Sequence, residues 1–179
     1  MQRGYGEFKR RLLEKYAHLN ERLFQPEQRL HLTIGMLYLL GSGEVDKAKK
    51  ILDKCQSRVN NLIGDFEVSE AAFDIEGIEI MNDDPYMTDV LYAKINDPEE
   101  LLQAITQDTI EQFIQADLAK KEHDRVKLHC TIMNSKNLMD ENTGKRKSFD
   151  AAGFMRDEQF KEFKFGRVTI DRFFYLKKN

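Results

Sequence analysis

A chain of 179 residues, 41% apolar and 33% charged with only three prolines, has room for one domain or for two small lobes sharing a core. At this size folding buries roughly two-thirds of the unfolded surface, so no disulfide or structural metal is required. The formal net charge of −3 excludes a protein that coats DNA through a broad basic surface, although a local basic groove stays compatible with it.

Two cysteines, Cys55 and Cys130, stand at neither metal-ligand nor disulfide-framework spacing and point to a reducing compartment, nuclear or cytoplasmic. The charged N-terminus lacks the apolar core of a signal peptide, and no apolar run reaches bilayer length, so no membrane association is expected.

In chain order, Phe8, Leu12, Leu13, Tyr16 and Leu19 recur at helical intervals and predict a helix over residues 8–23, closed by Pro26, within an N-terminal helical segment of residues 1–25. LHLTIGMLYLL, residues 30–40, reads as a buried or half-buried strand, punctuated by Gly41-Ser42-Gly43. Residues 44–63 read as an amphipathic helix stopping at Gly64. One or two strands over 66–80, a turn at Asn82-Asp83-Asp84-Pro85 and a strand over 89–95 follow.

Pro98 predicts the first turn of a helix reaching about residue 118, with Leu101, Leu102, Ile105, Ile110, Phe113 and Ile114 on its buried side. RVKLHCTIM, residues 125–133, is a further strand, and the polar residues 135–148, with Lys145-Arg146-Lys147, predict a flexible basic loop. A short helix over 151–160 and a strand over 165–176 finish an α+β or mixed α/β arrangement.

Two segments repeat one pattern: Arg29-Leu30-His31-Leu32-Thr33-Ile34 and Lys127-Leu128-His129-Cys130-Thr131-Ile132. In a strand, residues two apart share a face, so Arg29, His31 and Thr33 would line one side while Leu30, Leu32 and Ile34 enter the core. Lys127, His129 and Thr131 repeat this over Leu128, Cys130 and Ile132, which makes an internal duplication a fair hypothesis.

Among four histidines, two followed at that spacing by Ser or Thr arise by chance roughly 2–3% of the time at this composition, so the pair rather than either motif carries the signal. Phosphodiester cleavage without a metal takes a base for the nucleophile and an acid for the leaving oxygen. Imidazole, with an ordinary pKa of roughly 6.5, serves either role. The threonine hydroxyls can donate to non-bridging phosphate oxygens, and Arg29 and Lys127 can add cationic attraction. Gly35 would leave room for close ligand approach. The competing reading is two half-buried strands whose polar outer faces satisfy their histidines locally.

HLTIGML and KLHCTIMN resemble the paired H-x-[ST] motifs of the two-histidine (2H) phosphoesterase superfamily, which spans bacterial RNA 2′,5′-ligase-like proteins, cyclic phosphodiesterases and a kinase-anchoring-protein branch. FQPEQRLHLTIGMLYLL, IEGIEIMNDDPYMTDVLYAKI and VKLHCTIMN resemble in particular the branch found in the activating signal cointegrator complex. The middle segment discriminates most, because phosphoester chemistry alone does not demand it.

The resemblance implies a single domain over 1–179 with a bilobal fold, two antiparallel or mixed sheets flanking a central cleft and helices outside. It implies His31 and His129 as the catalytic pair, Thr33 and Thr131 as phosphate binders, and no metal or other cofactor. RNA or a nucleotide, including 2′,3′-cyclic or 2′-5′-linked species, is the implied substrate. Subunits of the cointegrator complex are the implied partners, and the chain by itself is expected to be monomeric. That branch usually carries an RNA-binding KH domain ahead of this region. No G-x-x-G loop in such a context occurs here, so an excised domain or a shorter form is expected.

The remaining candidates read more plainly. His18 is expected on the first helix as a surface or packing residue, His123 as a turn residue, and Cys130 as a small core side chain. Tyr38, Tyr86, Tyr92 and Phe149 could stack on a base, with core packing favoured for Tyr92. The expected function is metal-independent phosphodiester cleavage by a histidine acid–base pair, the two roles unassigned. The rival is a nucleotide- or RNA-binding scaffold of a transcription-coactivator or DNA-repair assembly, and a ligase running the reaction backward is a third possibility.

Overall fold

Tyr5, Phe8 and Leu12 fall on one face of the first helix, α1 (Gln2–Lys15), and all three are fully buried. Glu7–Arg11 and Arg10–Glu14 pairs, four residues apart, lace its outer face. The computed structural model describes residues 1–121, 124–140 and 143–170. Phe8 anchors an aromatic cluster, with Phe160 edge-on at 5.8 Å, Phe163 at 5.2 Å and Phe165 at 5.0 Å between ring centres.

α2 is Ser42–Asp65, β1 Ala72–Ile80, β2 Val90–Asn96, α3 Leu101–Gln115, β3 His129–Asn134, α4 Ala152–Arg156, α5 Glu158–Lys161 and β4 Lys164–Thr169. The chain divides into two units. The first holds Met1–Leu32, Asp74–Asn96 and His129–Val168, and is built on a four-stranded sheet in the order β3-β2-β1-β4. β1–β2 and β2–β3 pair antiparallel. One face of the sheet, carrying Ile75, Ile78, Leu91, Ala93, Cys130 and Ile132, joins the core that α1 and the Phe154–Phe165 aromatics complete.

A bulge between Ile75 and Ile78 interrupts the β1–β2 register. Gly77 supplies the φ of +75° it needs, and the side chain of Lys94 runs over it where a Cβ would stand 2.4 Å from Cε.

The second unit holds Thr33–Phe73 and Asp97–Leu128, with α2 against α3 over Ala48, Phe113, Leu118 and Ala119. Arg58 of α2 grips Asp108 of α3 with two hydrogen bonds, Nε to Oδ2 at 2.7 Å and Nη2 to Oδ1. Among the described residues no helix is long and apolar enough to cross a membrane.

Several expected boundaries move for local reasons. α1 ends at Lys15 rather than continuing to residue 23, since Tyr16 leaves helical geometry and a 3₁₀ turn, Glu21–Leu23, follows. α2 runs through Gly64, where it was expected to stop, and unwinds at Phe66, with Glu67 taking the left-handed conformation (φ 54°). Pro98 stands before α3, not in its first turn. There Asp97 accepts from the amides of Leu102 and Gln103 at 3.1 and 2.8 Å.

Of the strand expected over 30–40, only Leu32 makes a bridge, so the described residues form one sheet and not two. The strand expected over 165–176 is β4 as far as Thr169, and residues 171–176 lie outside the described residues.

Candidate active site

β3 brings the second motif into the sheet. His129 pairs with Lys94, Cys130 with Ala93 and Thr131 with Tyr92. Alternation turns Cys130 and Ile132 to the core and leaves His129 and Thr131, both half-buried, on the opposite face. The outer edge of β3 is lined by the residues leading into the first motif. Phe24 bridges Met133, Gln25 N–H donates to Ile132 O at 2.9 Å, and Leu32 bridges Cys130. The buried Tyr5 hydroxyl fixes this approach by donating to Gln25 O at 2.6 Å.

The isolated antiparallel bridge of Leu32 to Cys130 sets the residue after His31 against the residue after His129. Carried one residue either way, that register would make His31 and His129 diagonal neighbours, roughly 7–8 Å apart across an antiparallel pair. Two imidazoles at that spacing can reach a phosphate lying between them.

His31 is exposed, and its Nδ1 lies 2.7 Å from the carbonyl oxygen of Arg29. A carbonyl only accepts, so Nδ1 is the protonated nitrogen in this contact.

His129 is flanked differently. The ring of Tyr92 stands edge-on to it at 5.3 Å, and the Tyr92 hydroxyl donates to Glu79 Oε2 at 2.7 Å. Tyr92 is 2% exposed, so it offers no open ring face for a base. Burial foremost, then the Glu79 carboxylate, pushes its phenol well above the ordinary tyrosine value. Glu79 was absent from the residues singled out in the sequence. The signal available for it was its register against Tyr92, which the nine residues 81–89 joining the two strands leave open in the sequence.

The other expected residues separate. Arg29 closes a 3₁₀ turn, Glu27–Arg29, so strand alternation does not carry its side chain onto the face of His31. The turn instead contributes the Arg29 carbonyl. Thr33, exposed, opens the second unit, and Lys127, also exposed, lies two residues ahead of β3. Gly35 does not leave room for a ligand: a Cβ there would stand 2.3 Å from Ile110 Cδ1, so α3 occupies that space.

Cys130 is a core residue as expected. Burial pushes its thiol up to about 12, opposed by the His31 backbone amide donating to it. His18 is exposed beyond the end of α1, edge-on to Tyr16, and His123 lies outside the described residues.

Phe149 is buried. Tyr86 and Tyr38 are exposed, Tyr86 with Arg156 donating to its hydroxyl at 2.9 Å and Tyr38 beneath the Lys120 ammonium. The 135–148 loop, expected to be flexible, is tied at both ends. Ser135 and Ser148 hydroxyls donate to Asp89 Oδ1 at 2.8 and 2.9 Å, and Lys145, Arg146 and Lys147 are exposed between them. Residues 141 and 142 of that loop lie outside the described residues. Among the described residues no three His, Cys, Asp or Glu side chains form a group that could hold a metal ion.

An α+β chain with one H-x-T segment on an edge strand and a second whose middle residue, Leu32, bridges that strand has the makings of a 2H phosphoesterase-type domain. Residues 1–175 match the AKAP7 2′5′ RNA ligase-like domain, and the chain belongs to that family. It is similar to activating signal cointegrator 1 complex subunit 1 of Mus musculus, 35% identical over 178 residues. That match covers 90% of this chain and 49% of the mouse protein, so the chain spans about half the length of the curated relative. The resemblance seen in HLTIGML and KLHCTIMN therefore holds at the level of the family.

Proposed function

We propose that the chain is a metal-independent phosphodiesterase acting on RNA, an oligonucleotide or a 2′,3′-cyclic or 2′-5′-linked nucleotide. His31 and His129 are its acid–base pair. One imidazole takes the proton of the attacking water or ribose 2′-hydroxyl as its oxygen bonds to phosphorus. The other gives a proton to the leaving oxygen as the old P–O bond breaks.

Thr33 and Thr131 donate to the non-bridging oxygens, and Arg29 and Lys127 add positive charge nearby. The bilobal layout with a central cleft, expected from the family, is part of this reading. The observation that carries it is the isolated bridge of Leu32 to Cys130, which sets the residue after His31 against the residue after His129.

The test is cleavage of labelled single-stranded RNA and of 2′,3′-cyclic nucleotides with EDTA present. Wild type is compared with His31→Ala, His129→Ala and the double variant. Each single substitution is expected to lower turnover about 10²–10⁴-fold, with the double no worse than either, because the pair acts as one unit. Wild-type turnover in His129→Ala would end this reading.

A second reading is favoured by the relative's name, that of a complex subunit. In it the same residues bind a phosphate within a larger assembly of cointegrator type, without turnover. RNA or nucleotide binding that both substitutions weaken, with no substrate cleaved, would select it.

A further inference from the structure

We propose that Tyr92, anchored by Glu79, is the positioning residue for His129. This rests on the reading of His129 as one of the acid–base pair and adds the device that holds its ring in place.

β1, β2 and β3 lie side by side, and the β1–β2 register puts Glu79 opposite Tyr92 while the β2–β3 register puts Tyr92 opposite Thr131. Glu79, Tyr92 and Thr131 therefore form one cross-strand row, and His129 is one pleat along from Thr131. From that row the Tyr92 ring leans to His129 and meets it at 66° between planes. An edge-on aromatic contact restrains the orientation of the imidazole plane.

The phenol has little freedom to drift. Its hydroxyl donates to a carboxylate at 2.7 Å, and the residue is 2% exposed. A charge-assisted bond of this kind is roughly twice as strong as a neutral one. The logic is that of a base oriented by a third group, with an aromatic edge in place of a hydrogen bond.

A tyrosine in this place could be plain packing, and the two roles part experimentally. If Tyr92 positions His129, loosening it lowers turnover without weakening substrate binding, because an imidazole misplaced by a fraction of an ångström still permits binding but transfers its proton poorly. If Tyr92 only fills space, its loss lowers the melting temperature and leaves turnover untouched in the folded protein.

The experiment measures kcat and KM for wild type, Tyr92→Phe, Tyr92→Leu, Glu79→Ala, Glu79→Gln and His129→Ala, below the unfolding transition of each. The probes are the RNA and cyclic nucleotides named above. Tyr92→Phe and Glu79→Ala are expected to lose roughly 10-fold in kcat with KM within about twofold, and Tyr92→Leu more. Glu79→Gln keeps a carbonyl acceptor for the hydroxyl and is expected to restore most of the loss.

His129→Ala disabled while Tyr92→Phe and Glu79→Ala turn over like wild type overturns the positioning role and leaves the phosphodiesterase reading intact. Wild-type turnover in His129→Ala overturns both. If nothing is turned over, the His129 ring-proton resonances decide: they are expected to move in Glu79→Ala and Tyr92→Leu, and resonances unmoved in both overturn the proposal.

Discussion

Gly35→Ala separates two reasons for a glycine beside the first motif. The added methyl would stand 2.3 Å from Ile110 Cδ1 and 3.2 Å from Cγ1. Carbon atoms in contact sit at about 3.5–4.0 Å, so the overlap with Cδ1 exceeds an ångström and Ile110 must leave its position. Gly35 is exposed and Ile110 half-buried, so the flexible end of Ile110 can give way. The cost is about 1 kcal/mol, below that of a closed core, which in a chain of this size lowers the melting temperature by roughly 2–4 °C.

The rescue is equally local. Ile110→Val removes Cδ1, and the Gly35→Ala/Ile110→Val pair should recover most of the loss as measured by thermal and urea unfolding. Turnover at a temperature where every variant is folded should barely change. An alanine that leaves stability intact while raising KM would refute the packing argument and restore Gly35 as a place of close ligand approach.

Three further outcomes follow from single contacts. Asp89→Ala removes the shared acceptor of Ser135 and Ser148 and should cost about 2–3 kcal/mol, with faster proteolysis within residues 135–148. The Ser135 and Ser148 hydroxyls hold the Asp89 carboxyl below its ordinary value. Its contribution is therefore complete above about pH 4 and lost as pH falls through the lowered value, a limb Asp89→Ala should flatten in acid unfolding curves.

Cys130, with its thiol pushed up to about 12 and its side chain in the core, should react with maleimide at pH 8 at least ~100-fold more slowly in the native protein than in denaturant, and rapid native labelling would contradict the placement. Arg29→Ala keeps the carbonyl that holds His31 and loses only an exposed cation, so kcat should stay within about threefold while KM rises most at low salt. A hundredfold fall in kcat would mean the guanidinium itself takes part in the chemistry.

What the sequence made legible was burial, and what it hid was pairing. Leu30, Leu32 and Ile34 are half-buried and His31 and Thr33 exposed, as the alternation implied, yet only Leu32 finds a strand partner. Period-two patterning reports which side faces the core. Hydrogen bonding also requires a free edge, and Phe24 and Gln25 already occupy part of the edge of β3.

Gly35 and Met36 are both exposed and shift the phase, after which Leu37 and Leu39 turn inward toward the α2–α3 cluster. Arg29 left its expected face because a 3₁₀ turn of three residues leaves little sequence trace. Tyr92 was legible as buried. Its bond to Glu79 was not, because the nine residues 81–89 that join β1 to β2 leave the register of the hairpin open in the sequence.

The two motifs are nearly identical in sequence and unlike in support. His129 stands in the β2–β3 ladder, and its ring is braced through Tyr92 by a residue two strands away. His31 follows a turn, touches β3 through the single Leu32–Cys130 bridge, and has its ring held by the backbone two residues before it. One imidazole is held by tertiary structure and the other by local structure.

Damage should follow that division. Changes on β1 and β2 should reach His129 and spare His31, and changes to the Glu27–Arg29 turn should do the reverse. Sequence symmetry therefore does not make the two histidines interchangeable within the proposed acid–base pair. Whatever origin the repeated motif has, the surroundings that orient its two histidines were not repeated with it.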